Sequence, residues 1–110
     1  MGQRDTILIV DDMEVNRVIL SGLFQEEYHL LEAENGEQAL LLLKQYHGNI
    51  AIMLLDVVMP VMDGYQVMKE MGGSGLLDEV PVVVITADNS LEGELRSFDL
   101  GASDIIVKPF

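Results

Sequence analysis

Polar residues of the kinds that do chemistry stand where apolar runs break off. Thr6-Ile7-Leu8-Ile9-Val10 stops at Asp11-Asp12, Ile50 to Leu55 stops at Asp56, Val82 to Ile85 stops at Thr86, and Ile105 to Val107 stops at Lys108. Two like charges about 4 Å apart repel by roughly 1 to 4 kcal/mol between bulk water and a protein surface. Three clustered carboxylates, Asp11, Asp12 and Asp56, therefore need a cation. A small set of hard oxygen ligands with room for water and a phosphoryl oxygen suits Mg²⁺ better than a caged Ca²⁺, and the absence of cysteine and of a nearby histidine disfavours zinc. A carboxylate, a divalent metal, a hydroxyl and a lysine are the parts needed to form an acyl phosphate. The carboxylate attacks phosphorus in line while the metal and the ammonium neutralise the equatorial oxygens.

The elements that must position these groups follow from periodicity. Thr6 to Val10 is a β-branched run, the pattern of a buried strand whose carboxyl end meets water. Val15, Val18, Ile19, Gly22 and Leu23 then recur at helical spacing and predict one inward apolar face up to about Gln25. His29 to Ala33 reads as a second strand, and Asn35 as a helix cap with Gln38 as its capping-box partner and Ala39, Leu42 and Leu43 facing inward. Ile50 to Leu55 is apolar on both faces, as in a central strand of a parallel sheet. The Met59-Pro60 step makes Val57 to Asp63 a loop before a helix starting near Gly64, and Gly72-Gly73-Ser74-Gly75 stops that helix. Val82 to Ile85 is a fourth strand. Ser90 caps a short helix with Leu91, Leu95 and Phe98 inward and Gly101 at its end, and Ile105 to Val107 is a fifth strand. This alternation predicts a doubly wound α/β sandwich with helices on both faces. In such a sheet the right-handed crossover rule puts every strand's carboxyl end on one rim, so the polar residues share a pocket.

Those residues resemble the receiver domain of two-component response regulators. The matching pieces are Ile9-Val10-Asp11-Asp12, Leu55-Asp56 through Met59-Pro60 to Asp63-Gly64, Ile85-Thr86-Ala87, and Gly101-Ala102-Ser103-Asp104 leading to Lys108-Pro109-Phe110. They run through the whole chain in the family's order. The resemblance implies a flavodoxin-like five-stranded parallel sheet of order 2-1-3-4-5. It makes Asp56 the phosphoacceptor, with Asp12, Asp56 and the Val58 carbonyl on Mg²⁺ and Asp11 holding the ion through water. Thr86 and the Ala87 amide would hold the phosphoryl group, with Lys108 as its counterion and a cis Lys108-Pro109 bond. The donor it implies is a phosphohistidine on a sensor histidine kinase or phosphotransfer protein. The chain would catalyse only its own phosphorylation and dephosphorylation.

Two departures stand out. Where the family carries Tyr or Phe three residues before the lysine, this chain has Ile105, which puts an aromatic switch in doubt. Positions that border the attacking water hold Val58 and Asp88, and the apolar Val58 predicts slow loss of the phosphoryl group. The family also has a helix after the Lys-Pro-Phe motif, so the chain reads as residues 1–110 of a receiver domain cut after its fifth strand. An output domain then belongs to a longer parent chain, and the strip beside Ile7, Ile9 and Ile106 is expected to be open or covered by a second copy in a homodimer.

Taken singly, each site residue has an ordinary reading: Asp11 or Asp12 as a helix cap, Asp56 as a loop cap, Thr86 as a turn residue, Lys108 as a solvated cation. Five such coincidences at five matching places are improbable. A haloacid-dehalogenase-like phosphatase shares a strand-end Asp, Mg²⁺, Thr and Lys, but wants Asp-x-Asp-x-Thr where this chain has Asp11-Asp12-Met13-Glu14-Val15. A pseudo-receiver that only binds partners would not need the intact set. Met53, Met59, Met62 and Met68 read as core or loop filler, His29 and His47 as strand-edge and helix-end residues, and Glu26-Glu27 and Glu32 to Glu37 as solvated faces.

Charge narrows the partners. Six Lys and Arg against 19 Asp and Glu give a formal net charge of -13, which repels nucleic-acid backbones and anionic lipid. No apolar run approaches the roughly 20 residues of a bilayer span. The absence of cysteine is compatible with a reducing, bacterial cytoplasm. The start Met1-Gly2-Gln3-Arg4-Asp5-Thr6 fits the myristoylation pattern only loosely.

Overall fold

Five parallel strands, β1 (Thr6–Val10), β2 (His29–Ala33), β3 (Ile50–Asp56), β4 (Val82–Thr86) and β5 (Asp104–Val107), lie side by side in the order β2-β1-β3-β4-β5. They alternate with α1 (Glu14–Phe24), α2 (Gly36–Tyr46), α3 (Gly64–Ser74), α4 (Leu76–Glu79) and α5 (Leu91–Asp99). The computed structural model describes residues 4–109. Met1, Gly2, Gln3 and Phe110 fall outside the described residues, and with them the Met1-Gly2 start of the myristoylation pattern and the last residue of the Lys108-Pro109-Phe110 motif.

Period-two alternation divides the strands between two cores. Leu8, Val10, Met53, Leu55, Val82 and Val84 face α2 and α3, whose Ala39, Leu43, Val67, Met68 and Met71 are buried against them. Ile7, Ile9, Leu54, Val83 and Ile85 face the other way, toward Leu20 of α1. Each fully buried aliphatic side chain contributes roughly 1.5 to 3 kcal/mol, so the central strands carry most of the stability. The methionines Met53, Met59 and Met68 are core, as their scattered positions indicate.

The caps act largely as the sequence predicts. Asn35 accepts the N–H of Gln38 at 2.9 Å, but the Gln38 side chain accepts from the N–H of Glu34, one residue earlier than a capping box requires. Asp63 and Gln66 do form a complete capping box at the start of α3. Ser90 accepts the N–H of Gly93 at 3.1 Å, and Gly101 takes a left-handed φ of 108° after α5.

Three expectations fail. Val15, Val18, Ile19 and Leu23 are exposed; among the described residues α1 turns the stripe of Leu20 and, in part, Phe24 onto the sheet. Leu91, Leu95 and Phe98 are also exposed, because α5 turns its small Ser97 inward, with the Ser97 hydroxyl donating to the carbonyl of Gly93. The Gly72-Gly73-Ser74-Gly75 tract does stop α3, which runs to Ser74 and ends at Gly75 with a left-handed φ of 82°; α4 follows at once. The strip expected beside Ile7, Ile9 and Ile106 is open only at Ile106, since α1 already covers the other two. Among the described residues no helix is long and apolar enough to cross a membrane.

Candidate phosphoacceptor site

Asp11 and Asp56 end up together because β1 and β3 are neighbours paired Val10 to Leu55, so the residue after each pair emerges on the same rim. Asp11 is 1% exposed and fully engaged. Its Oδ1 accepts the N–H of Met13 at 2.9 Å, which caps the start of α1 where Met13 has no side-chain cap of its own. Its Oδ2 accepts from Asn16 Nδ2 at 3.2 Å and from Lys108 Nζ at 3.1 Å. Asp11 thus steadies the start of α1 and lies beside Lys108 at once. Asp12 is exposed, and one carboxylate oxygen from each of Asp11, Asp12 and Asp56 lies within 4.8 Å of the others.

Asp56 is held from three sides. Its Oδ1 accepts the N–H of Val58 at 3.2 Å and its Oδ2 accepts from Lys108 Nζ at 3.4 Å. Behind it, Gly64 brings α3 hard against the end of β3: a Cβ there would lie 2.4 Å from the Asp56 carbonyl oxygen and 2.7 Å from Val57 Cα. Only glycine admits that approach. The Gly64 N–H donates to the Val57 carbonyl at 3.0 Å and closes the loop. Within the loop, Val61 adopts a φ of 69°, between Pro60 and Met62, whose N–H donates to the Pro60 carbonyl at 2.7 Å. Val58 and Val61 are exposed beside the carboxylates.

Burial, and then the charge of Asp11, push the Asp56 carboxyl above its usual range, against the pull of Lys108 and the Val58 N–H. Burial alone would lower Lys108, but the hydrogen bond to Asp11 and the charges of Asp56 and Asp11 outweigh it and raise its pKa. The ammonium bridges two carboxylates and leaves the third uncompensated. That pattern fits a further cation bound by hard oxygens.

Thr86 ends β4 and is buried; its carbonyl accepts the N–H of Lys108 at 2.8 Å, and its Oγ1 accepts the N–H of Asp88 at 3.0 Å. Ala87 follows it, exposed. Thr86 is thus joined to Lys108 through backbone and not to Asp56 through its side chain. The Lys108-Pro109 bond is cis. Ile105 pairs with Val84 and packs in part against the α2 and α3 core.

Two residues that support the site were not singled out from the sequence. Asn16 holds Asp11 directly, and Arg17 Nη1 donates to the Asp11 carbonyl at 2.7 Å. Arg17 Nε also pairs with Glu32 at 3.1 Å, and the Ser21 hydroxyl donates to Glu32 at 3.2 Å, on the exposed face expected of Glu32. An Asn-Arg pair in the first turn after Asp-Asp was the available signal. Apart from this site, an open groove of 630 Å³ runs beside α3 from Met62 to Ser74.

The family model of the response regulator receiver domain matches residues 7–110. This chain belongs to that family. Over 109 residues the domain is 35% identical to a probable transcriptional regulator ycf27 of Porphyridium aerugineum, covering 98% of this chain and 43% of that protein. It is 38% identical over 104 residues to a probable cyclic di-GMP phosphodiesterase of Vibrio cholerae, covering 94% of this chain and 23% of the relative. Among solved structures it is similar to the CheX-CheY-BeF3-Mg complex of Borrelia burgdorferi, with a TM-score of 0.87 and 30% identity, over 96% of this chain and 79% of that one. The receiver domain spans less than half of these two curated relatives. Receiver domains are signalling modules and not enzymes in the ordinary sense, and the five-stranded flavodoxin-like sheet found here is theirs.

Proposed function

We propose that this receiver domain takes a phosphoryl group onto Asp56 and thereby switches an output carried in a longer parent chain or by a partner. The observation that carries the reading is the trio of carboxylates gathered within 4.8 Å and bridged on one side by Lys108. Asp56 Oδ is the nucleophile: a bond forms from it to phosphorus, the bond from phosphorus to the donor's imidazole nitrogen breaks, and the imidazole leaves with the electron pair. Lys108, released from its two carboxylate partners, neutralises the phosphoryl oxygens, and the Thr86 hydroxyl and Ala87 N–H donate to them. Asp12, Asp56 and the Val58 carbonyl would hold Mg²⁺, with Asp11 holding it through water; the ion supplies charge neutralisation. The donor chemistry is a phosphohistidine on a sensor kinase or phosphotransfer protein, and the working compartment is the bacterial cytoplasm.

Incubation with Mg²⁺ and acetyl phosphate followed by intact mass tests this. The expected result is one added phosphoryl group on the unsubstituted protein and none on Asp56→Asn or with chelator present. A gain that survives Asp56→Asn overturns the assignment, and no gain on the unsubstituted protein returns the domain to a binding role alone.

A further inference from the structure

We infer that Arg17 is the positioning residue for Asp12: its guanidinium holds the peptide group that sets where the Asp12 carboxylate stands, a reading that rests on the Mg²⁺-holding role proposed for Asp12. Among the described residues the exposed Asp12 side chain has no hydrogen-bond or ion-pair partner, so its place on the rim is set through its backbone. Both peptide groups that flank it are pinned by side chains. On one side the Asp11 carbonyl accepts from Arg17 Nη1 at 2.7 Å, and on the other the Met13 N–H donates to Asp11 Oδ1 at 2.9 Å. Asp11 lies one residue beyond β1, where its N–H still donates to the Ala33 carbonyl at 3.1 Å but its own carbonyl is taken by Arg17.

Arg17 is itself held at both ends. Its N–H donates to the Met13 carbonyl at 3.2 Å in the first turn of α1, its Nε pairs with Glu32 Oε1 on β2 at 3.1 Å, and Glu32 Oε2 accepts from the Ser21 hydroxyl at 3.2 Å. The side chain is only 13% exposed, so the planar fork lies between α1 and the end of β2 with little freedom to turn. Its role is one of geometry and not of charge. The guanidinium is paired with Glu32, and the Asp56 carboxyl answers to burial, Asp11, Lys108 and the Val58 N–H, with no part taken by Arg17. By Coulomb's law alone a cation beside the rim repels Mg²⁺, so removing it would tighten binding. Unpinning the peptide works the other way. A freed Asp12 must be ordered again when the ion binds, and loss of an outer support of a metal ligand lowers affinity on the order of tenfold. The sign of the change separates the two accounts.

The test titrates Mg²⁺ alone into the full chain, well below its melting temperature, and follows the Asp12 and Val58 amides by NMR. In the unsubstituted protein both should shift to saturation. Arg17→Met removes the fork and the charge, whereas Arg17→Lys removes the fork and keeps the charge. Each should raise the Kd for Mg²⁺ roughly tenfold. Melting of the metal-free variants, recorded alongside, reports any loss of stability separately from affinity, and if Arg17→Met does not fold, Arg17→Lys decides. A Kd unchanged or lowered in a folded variant overturns the positioning role and leaves Asp12 in its own. No saturable shift in the unsubstituted protein, or a Kd unchanged in Asp12→Ala, overturns the assignment of Asp12 and this inference with it.

Discussion

The charge of Asp56 is costly where it stands. Folding raises its pKa above the unfolded value of 3.8, so the ionised group opposes folding at neutral pH, and that opposition is relieved as pH falls through the raised pKa toward 3.8. Asp56→Asn is therefore expected to gain about 1 to 2 kcal/mol at pH 7, the residue of repulsions of several kcal/mol that Lys108 mostly offsets, and the gain should shrink near pH 4. Urea denaturation at the two pH values measures it. Lys108 behaves oppositely: its raised pKa contributes stability at neutral pH that is lost as pH climbs through that pKa, above 10.5. Val58 faces solvent 71% exposed beside the carboxylate, where a polar side chain could orient water. Val58→Asn should shorten the aspartyl-phosphate lifetime several-fold, read by decay of the phosphorylated mass after chelation. An unchanged rate would remove Val58 from the account.

At the level of elements, the sequence showed most where local physics is decisive. A β-branched run ended by acids left little choice for Thr6 to Val10, and Asn35 and Ser90 announce helix starts by their side-chain acceptors. Periodicity told less about rotation. The apolar residues of α1 cover an arc wider than the stripe that meets the sheet, and nothing local distinguishes Leu20 from Val15, Val18, Ile19 or Leu23. In α5 the contact is made by Ser97, a small residue whose polarity argues for the opposite face. The four residues of α4 are too few to show a period at all. This asymmetry in α1 is measurable: Leu20→Ala should cost about 2 to 5 kcal/mol, whereas Val18→Ser should stay within roughly 0.5 to 1 kcal/mol. Comparable losses from both would mean that the helix is rotated from the position described. Gly64→Ala belongs to the same scale, since its Cβ meets backbone that cannot yield, and it should both destabilise the fold and slow phosphorylation.

Across the whole molecule the excess of negative charge and the site act together. A net charge of -13 gathers cations around the domain, but among the described residues only the rim of Asp11, Asp12 and Asp56 gathers three carboxylates, two of them bridged by Lys108. The sequence made the membership of that rim legible, because parallel strands deliver their carboxyl ends to one edge, while what Asn16, Arg17 and Gly64 touch emerges only from packing. A ligand that binds the folded state alone stabilises it by RT ln(1 + [L]/Kd), about 2.7 kcal/mol at a hundredfold excess over Kd. Mg²⁺ titrated into the protein should therefore raise its melting temperature in a saturable way, and Asp12→Ala should abolish the saturable part. Asp12 is exposed and unbridged, so its removal should leave the melting temperature without Mg²⁺ unchanged or slightly raised. Raising monovalent salt separates the two sources of attraction, because screening weakens the diffuse pull of the net charge far more than direct ligation. A Mg²⁺ effect that vanishes near 1 M NaCl, or one that survives intact in Asp12→Ala, would place the ion in the general atmosphere and not on the rim beside Asp56.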